Sequence, residues 1–170
     1  PIVNISHDAA ILYCEWLTDA YNNLEHRKKE FAKVQFRLHS ETEGETLVYG
    51  GKGKRAYAWG GEYLRNAKGC FLGNLDMSEV DRKESALASC ESCNEYNLDG
   101  AIFPVNADTY IANEFGLYNM TGNVAEMVRE KGISKGGSWN TKGSVATINN
   151  KETFTLPNAQ TGFRVIMIIK

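Results

Sequence analysis

The stretch Phe115-Gly-Leu-Tyr-Asn-Met-Thr-Gly-Asn-Val-Ala-Glu126 constrains what this chain can fold into more than any other feature. It crowds glycines, which tolerate left-handed backbone, against side chains that carry oxygen, and it contains no nucleophile. Lys135-Gly-Gly-Ser-Trp139 and Gly162-Phe-Arg164 follow it. A run of this kind organises a loop-rich fold and suits a hard cation, which takes carboxylate, amide and carbonyl oxygens. Whether chemistry accompanies the architecture turns on the residues between Ser138 and Gly162.

With 170 residues, 42% of them hydrophobic and 24% charged, the chain reads as one domain over 1–170 with a core of its own. A net charge of -2 gives no electrostatic case for nucleic acid or an anionic membrane. No apolar run approaches the roughly 20 residues that span a bilayer. Val165-Ile-Met-Ile-Ile169 is instead read as a terminal core strand. The chain opens at Pro1 without an initiator Met, so a trimmed or mature segment is expected, with a lipid anchor upstream left open.

Ser6 is expected to cap a helix whose apolar positions Ala9, Leu12, Tyr13, Trp16, Leu17, Ala20 and Tyr21 recur at helical spacing and mark its buried face. That helix frays near Asn22-Asn23 into the charged linker Glu25-His-Arg-Lys-Lys-Glu30. Val34-Gln-Phe-Arg-Leu38 alternates and predicts a short strand. Ser40-Glu-Thr-Glu43 has the S-x-x-E form in which each side chain bonds the other's backbone, and a second helix starts there. Gly44 weakens that helix by about 1 kcal/mol relative to alanine, and Gly50-Gly51 ends it. Ile133-Ser-Lys135 and the run from Gly162 to Ile169 predict strands. From Lys52 to Asn113 the chain reads mostly as loop, with Asp76 to Ser92 protruding as an insertion. So long a stretch has to be fixed by bound metal or by loop-to-loop hydrogen bonds.

Cys14 falls inside the first helix and is expected to be a buried apolar group. Cys90-Glu-Ser-Cys93 lacks the second pair, or the histidines, of a zinc site, which leaves a local disulfide or two free thiols. His7, His26 and His39 show no metal-ligand spacing and are expected at the surface. No G-x-S-x-G elbow, phosphate-binding loop or H-E-x-x-H is present. Glu41, Glu43, Glu45 and Asp108 could converge as carboxylates, and nothing in the sequence singles them out.

At this point a family resemblance becomes visible. Pro1-Ile-Val-Asn-Ile-Ser6 leads into Tyr13-Cys-Glu-Trp-Leu17, followed by Phe36-Arg-Leu38, the capped helix and Tyr57-Ala-Trp-Gly-Gly61. The Gly116 to Glu126 run, Gly136-Gly-Ser-Trp139 and Gly162-Phe-Arg164 complete the order. This succession resembles the formylglycine-generating enzyme, or sulfatase-modifying factor, family, a variant of the C-type lectin-like fold. The resemblance spans the whole chain and starts after the family's N-terminal strands. It implies an α+β, loop-rich domain with two helices and short antiparallel sheets. Arg65-Asn-Ala-Lys-Gly-Cys-Phe-Leu72 and the Asn119 to Glu126 stretch are most similar to the Bacteroidetes branch, which includes lipoproteins of gliding motility and type IX secretion. That likeness implies a periplasmic or cell-envelope location.

The resemblance also implies structural calcium. Asn119 and Glu126 match the family's side-chain ligands, and Gly122 and Val124 match positions that donate backbone carbonyls. Asn74, Leu75, Asp99 and Ala101 fall where the family has a second calcium site. The alternative is that Asn119, Asn123 and Glu126 simply hydrogen-bond loop backbone, as such residues do in turns.

The family's enzymes oxidise a substrate cysteine to formylglycine with a cysteine pair that binds copper(I), a metal that demands soft thiolates. That pair lies between the Gly-Gly-Ser-Trp and Gly-Phe-Arg elements, where 140–161 holds no cysteine in this chain, so no copper is expected. Gly44 and Met127 stand where the family has tryptophans, which implies repacked surroundings. Three readings follow. The first is a noncatalytic scaffold with a protein partner in a bacterial envelope assembly. The second is a C-type lectin-like module, of the kind diversified by retroelements, that binds protein or glycan. Its face would be Asn140, Thr141, Lys142, Thr147, Asn149, Asn150 and Thr153. The third is an enzyme whose site is unrecognised.

Overall fold

The computed structural model of the chain describes residues 1–50, 55–67, 70–78 and 103–170. Helix α1 (His7–Asn22) begins at Ser6, whose side chain accepts from the Ala9 N–H, and ends at Asn23. After a 3₁₀ turn at Lys29–Phe31 comes strand β1 (Val34–Leu38), then helix α2 (Glu41–Tyr49). Ser40 and Glu43 form the expected reciprocal cap of α2, and Gly50 closes it in left-handed backbone. The remaining strands are β2 (Ala125–Met127), β3 (Ile133–Lys135), β4 (Lys151–Thr153), β5 (Thr161–Phe163) and β6 (Val165–Ile169).

The run from Gly162 to Ile169, expected as one strand, divides at Arg164 between two sheets. β5 joins a four-stranded sheet in the order β4-β3-β2-β5, while β6 pairs antiparallel with β1. β2 and β5 run parallel, so the larger sheet is mixed. Val165–Ile169 is half-exposed, with Met167 and Ile169 open to solvent. It is therefore the outer strand of a two-stranded ribbon and not a core strand.

The buried face of α1 also differs from the expected one. His7, Ala10 and Cys14 are buried, whereas Leu12, Tyr13 and Trp16 are 64%, 41% and 61% exposed. Side-chain hydrogen bonds to β1 set this rotation. The Phe36 N–H donates to Thr18 Oγ1 at 2.9 Å, and Asn22 both accepts from Val34 N–H at 3.1 Å and donates to Val34 O at 2.9 Å. Cys14, Thr18 and Asn22 are spaced by four and share one face, so satisfying the free edge of β1 turns the larger apolar side chains outward. The small Ala10 and Cys14 then pack on Leu38 and Met127.

Two histidines expected at the surface are buried. His7 Nε2 lies 2.9 Å from Val128 O, and His39 is 1% exposed. The space for the His39 ring comes from Gly44, where an added Cβ would stand 2.8 Å from two ring atoms. Polar type misled here because backbone carbonyls accept one bond from each ring, His7 at Val128 O and His39 Nδ1 at Ser40 O, and the Glu126 carboxylate lies 3.6 Å from the other His39 nitrogen. His26 is exposed as expected, and Cys14 is buried.

The described part of the 52–113 stretch is held by hydrogen bonds to other loops. Asp76 N–H donates to Thr141 O and Asp76 O accepts from Gly143 N–H, both at 2.9 Å, so Asp76 itself is tied down. Ile148 N–H donates to Ala56 O, and Tyr57 Oη donates to Gly143 O. Tyr57, Leu64, Phe71, Leu75, Met77 and Ala146 form a core beneath these loops. Cys90 and Cys93 lie outside the described residues.

The cap of α2 carries a pH dependence. Arg37 grips Glu43 through two hydrogen bonds of 2.7 Å, and with the Ser40 backbone N–H it lowers the Glu43 carboxyl from 4.5 to about 2. A lowered carboxyl contributes stability that is fully present above 4.5 and is lost as pH falls toward about 2. Melting temperature between those limits should fall less steeply in Glu43→Gln than in the unaltered chain. Parallel profiles would show that the pair contributes nothing, since a half-exposed partner is well screened.

Candidate functional site

Asn119, Asn123 and Gly122 all adopt left-handed backbone, at φ of 52°, 71° and 87°. This bends the loop back on itself immediately before β2 and brings Asn119, Val124 and Glu126 to one cavity of about 210 Å³, together with Phe163 and Arg164. Gly122 does not line the cavity. It is wedged against the other loop, where a Cβ would stand 2.6 Å from Asn74 O.

The oxygens of this loop have different fates. Asn119 Nδ2 donates to Ala107 O at 2.9 Å, which fixes the amide orientation and leaves Oδ1 buried without a hydrogen-bond partner. Asn74 repeats the pattern: Nδ2 donates to Phe103 O at 2.9 Å, and Oδ1 is buried and unpartnered. Flipping either amide would face its oxygen against a carbonyl. An orphaned buried acceptor of this kind costs about 1–3 kcal/mol, a cost that a water or a cation at the oxygen would relieve. Asn123 is different. Its Oδ1 accepts from the Val105 N–H at 2.9 Å and its Nδ2 donates to Val105 O at 3.2 Å, the loop-bracing role of an asparagine in a turn.

Of the second ligand set, Asn74 and Leu75 are buried, with Leu75 in the core. Asp99 and Ala101 lie outside the described residues. A backbone bond from Asn123 N–H to Asn74 O, 2.7 Å long, ties the two loops directly.

Glu126 is held by a group the sequence reading did not connect to it. Arg164 Nε donates to both carboxylate oxygens at 2.9 and 3.0 Å, and Nη2 donates to Oε1 at 2.7 Å and to Tyr118 O at 2.9 Å. His39 Nε2 lies 3.6 Å from Glu126 Oε2. Burial alone would raise the Glu126 carboxyl, but Arg164 and His39 outweigh it and hold the group below the ordinary range. Burial pushes His39 down, yet Glu126 prevails and its net shift is upward. Behind this cluster, His39, Gly44, Glu126 and Lys135 border a cavity of about 20 Å³, room for one water. Among the described residues, no three His, Cys, Asp or Glu side chains gather as a metal-ligand cluster. The candidate cation chemistry here is that of amide and carboxylate oxygen.

The sheet forms a second site. Ser134 of β3 pairs with Glu152 of β4, and both line an open groove of about 370 Å³ with Ser138, Thr141, Phe154 and Gln160. Asn140, Thr141 and Thr153 of the expected binding face also line it, whereas Lys142, Thr147, Asn149 and Asn150 lie outside its lining. Asn149 Oδ1 instead accepts from Tyr49 Oη at 3.2 Å. Residues from β3 and β5 could not be assigned to one groove before the strand order was known.

Comparison with known proteins agrees with this architecture. A family model described as the sulfatase-modifying factor enzyme 1-like domain matches residues 1–169. Among solved structures, PvdO from Pseudomonas aeruginosa is 18% identical with a TM-score of 0.61, covering 97% of this chain. The chain spans 60% of the PvdO chain. Treponema denticola variable protein 1 is 15% identical with a TM-score of 0.67, over 100% of this chain and 71% of that one. CarF is 19% identical with a TM-score of 0.66, over 100% and 68% respectively. At these identities the likeness concerns the fold, and it agrees with the expected α+β, loop-rich architecture. No curated protein sequence matches significantly.

Proposed function

This chain belongs to the sulfatase-modifying factor enzyme 1-like family, and on that premise we propose that it is a noncatalytic, calcium-stabilised binding scaffold. The observation that carries this reading is the groove beside Trp139: residues 140–161 contain no cysteine, and the described lining offers hydroxyls, amides and one carboxylate. Such groups bind but supply no soft ligand for copper(I). The test is to incubate the chain with copper(I), dioxygen and a cysteine-containing peptide and to follow the peptide by mass spectrometry. An unchanged peptide is expected, and conversion of its cysteine to an aldehyde would overturn the reading.

Calcium would be held by the Asn119 and Glu126 side chains with the Val124 carbonyl, the Gly122 carbonyl of the expected set lying outside the cavity lining and accepting from Val124 N–H, and at a second site by Asn74, Leu75, Asp99 and Ala101. The two orphaned amide oxygens support this. At a hundred times its dissociation constant, a ligand bound only by the folded state contributes about 2.7 kcal/mol. Excess chelator should therefore lower the melting temperature by several degrees, at roughly 2–4 °C per kcal/mol. Asn119→Gly keeps the left-handed backbone available, removes the oxygen and should shrink that shift. A wild-type melting temperature indifferent to chelator would sink the calcium assignment.

The partner we propose is a protein of a bacterial envelope assembly in the periplasm or at the cell envelope. The support is the likeness of the Arg65 to Leu72 and Asn119 to Glu126 stretches to lipoproteins of gliding motility and type IX secretion. A second reading, a ligand-binding module that uses the 140–161 surface, is favoured by the groove itself, which gathers Asn140, Thr141 and Thr153.

A further inference from the structure

We infer that the groove between β3, β4 and β5 takes a neutral polyhydroxylated ligand, a mono- or oligosaccharide. This rests on the ligand-binding reading of the 140–161 surface and names what that surface would bind. Three observations lead to it.

The first is an unpartnered polar group in the groove. Ser134 is 1% exposed, sits in the middle of the four-stranded sheet and lines the groove, yet its Oγ has no hydrogen-bond partner. A hydroxyl both donates and accepts, so a buried one without a partner lacks what a ligand hydroxyl could supply.

The second is a preorganised polar wall. Thr141 Oγ1 accepts from the Ser138 N–H at 2.9 Å and donates to Glu152 Oε1 at 2.8 Å. Ser138 Oγ lies 3.2 Å from Thr141 Oγ1 and accepts from the Asn140 N–H at 3.2 Å. These bonds fix Ser138, Thr141 and Glu152 before any ligand arrives. They leave Glu152 Oε2 as an acceptor with no partner among the described residues. Asn158 and Gln160, also in the lining, add amides that both donate and accept.

The third is what the lining lacks. Among the described residues it contains no lysine, arginine or histidine, and its one ionisable group there is a carboxylate. A phosphate, sulfate or carboxylate ligand would meet an acidic group with nothing to neutralise it. An apolar ligand would leave the hydroxyls and amides unpaired, since Phe154 is the one large apolar side chain among the described lining residues. Ligands with many hydroxyls, which donate and accept in equal measure and carry no charge, match this composition. The volume, about 370 Å³, falls within the range of small-molecule sites, roughly 300–1,000 Å³.

The experiment uses the full chain. Calorimetric titrations with maltose, cellobiose, lactose and chitobiose are run beside a glucuronate-terminated disaccharide and a cysteine-containing peptide. At least one neutral disaccharide should bind saturably, and the acidic disaccharide should bind at least tenfold more weakly. Ser134→Ala removes only an unpartnered hydroxyl, so it should leave the melting temperature unchanged or raised while weakening the sugar fivefold or more. Glu152→Gln keeps an oxygen for Thr141 and should also weaken binding, whereas Asn149→Ala, outside the lining, should not. Absence of binding by all four neutral sugars would overturn the inference, as would sugar binding indifferent to both Ser134→Ala and Glu152→Gln. Saturable peptide binding lost in Ser134→Ala, with no sugar binding, would overturn the saccharide class and leave the ligand-binding reading standing.

Discussion

Replacing Arg164 with methionine should cost the folded state about 3–5 kcal/mol, the usual penalty for stranding a buried charge. The Glu126 side chain is 13% exposed and receives three hydrogen bonds from Arg164. Methionine fills much of the lost volume but leaves the carboxylate facing His39 alone. Tyr118 O loses its donor as well. At roughly 2–4 °C per kcal/mol for a domain of this size, the melting temperature should drop by about ten degrees. The measurement belongs in excess chelator, so that no cation stands in for the guanidinium. Glu126→Gln combined with Arg164→Met should recover much of the loss, because a neutral amide pays far less for burial. A loss under about 1 kcal/mol for the single variant, the level of a surface pair, would show that Glu126 is effectively solvated.

The second large effect is expected at Gly122. Alanine there must hold φ near 87° and put its Cβ 2.6 Å from Asn74 O and 3.1 Å from Leu75 Cγ. Left-handed backbone costs a residue with a Cβ about 1–2 kcal/mol, and forcing a packed neighbour aside typically adds about 1–3 kcal/mol. The contact is with backbone, which cannot rotate away, so a loss of about 2–5 kcal/mol should appear in denaturant unfolding. Gly116 is the internal control. Its φ is 76°, but nothing stands within 4 Å of an added Cβ, so Gly116→Ala should cost the backbone contribution alone. Equal losses at the two positions would mean that the Gly122 loop can move off Asn74, and the two candidate calcium loops would then not be rigidly joined.

Local signals in the sequence were legible wherever the physics is local. Ser6 and the Ser40–Glu43 box cap their helices as read, because a cap depends on four consecutive residues. β1 followed from alternation, and Gly50 ended α2 because it tolerates left-handed backbone. The face of α1 did not follow. Apolar residues occur nearly all round that helix, and the rotation was chosen by Thr18 and Asn22 bonding to β1. Strands β2 and β4 were not read from the sequence, although β3, equally short, was: a three-residue strand is set by the neighbours it pairs with, which lie far away in the chain.

The opening run illustrates the same division. Its residue types alone said that 115–126 is a glycine-bent loop offering oxygens and no nucleophile, and its order with the later elements pointed to the family that matches residues 1–169. The missing cysteines between Trp139 and Gly162 are likewise a fact of sequence. Only the tertiary structure decided which oxygens are already spoken for. Asn123 commits its amide to Val105, Glu126 accepts from Arg164 while still lining the cavity with Asn119, and Asn119 and Asn74 keep one oxygen each unpartnered. It also decided that Ser134 and Glu152 face one groove. Bends, caps and missing functional groups are properties of short segments. Whether a polar atom is satisfied depends on what the rest of the chain brings against it, from Arg164 to Ala107, and no short window of sequence contains both partners.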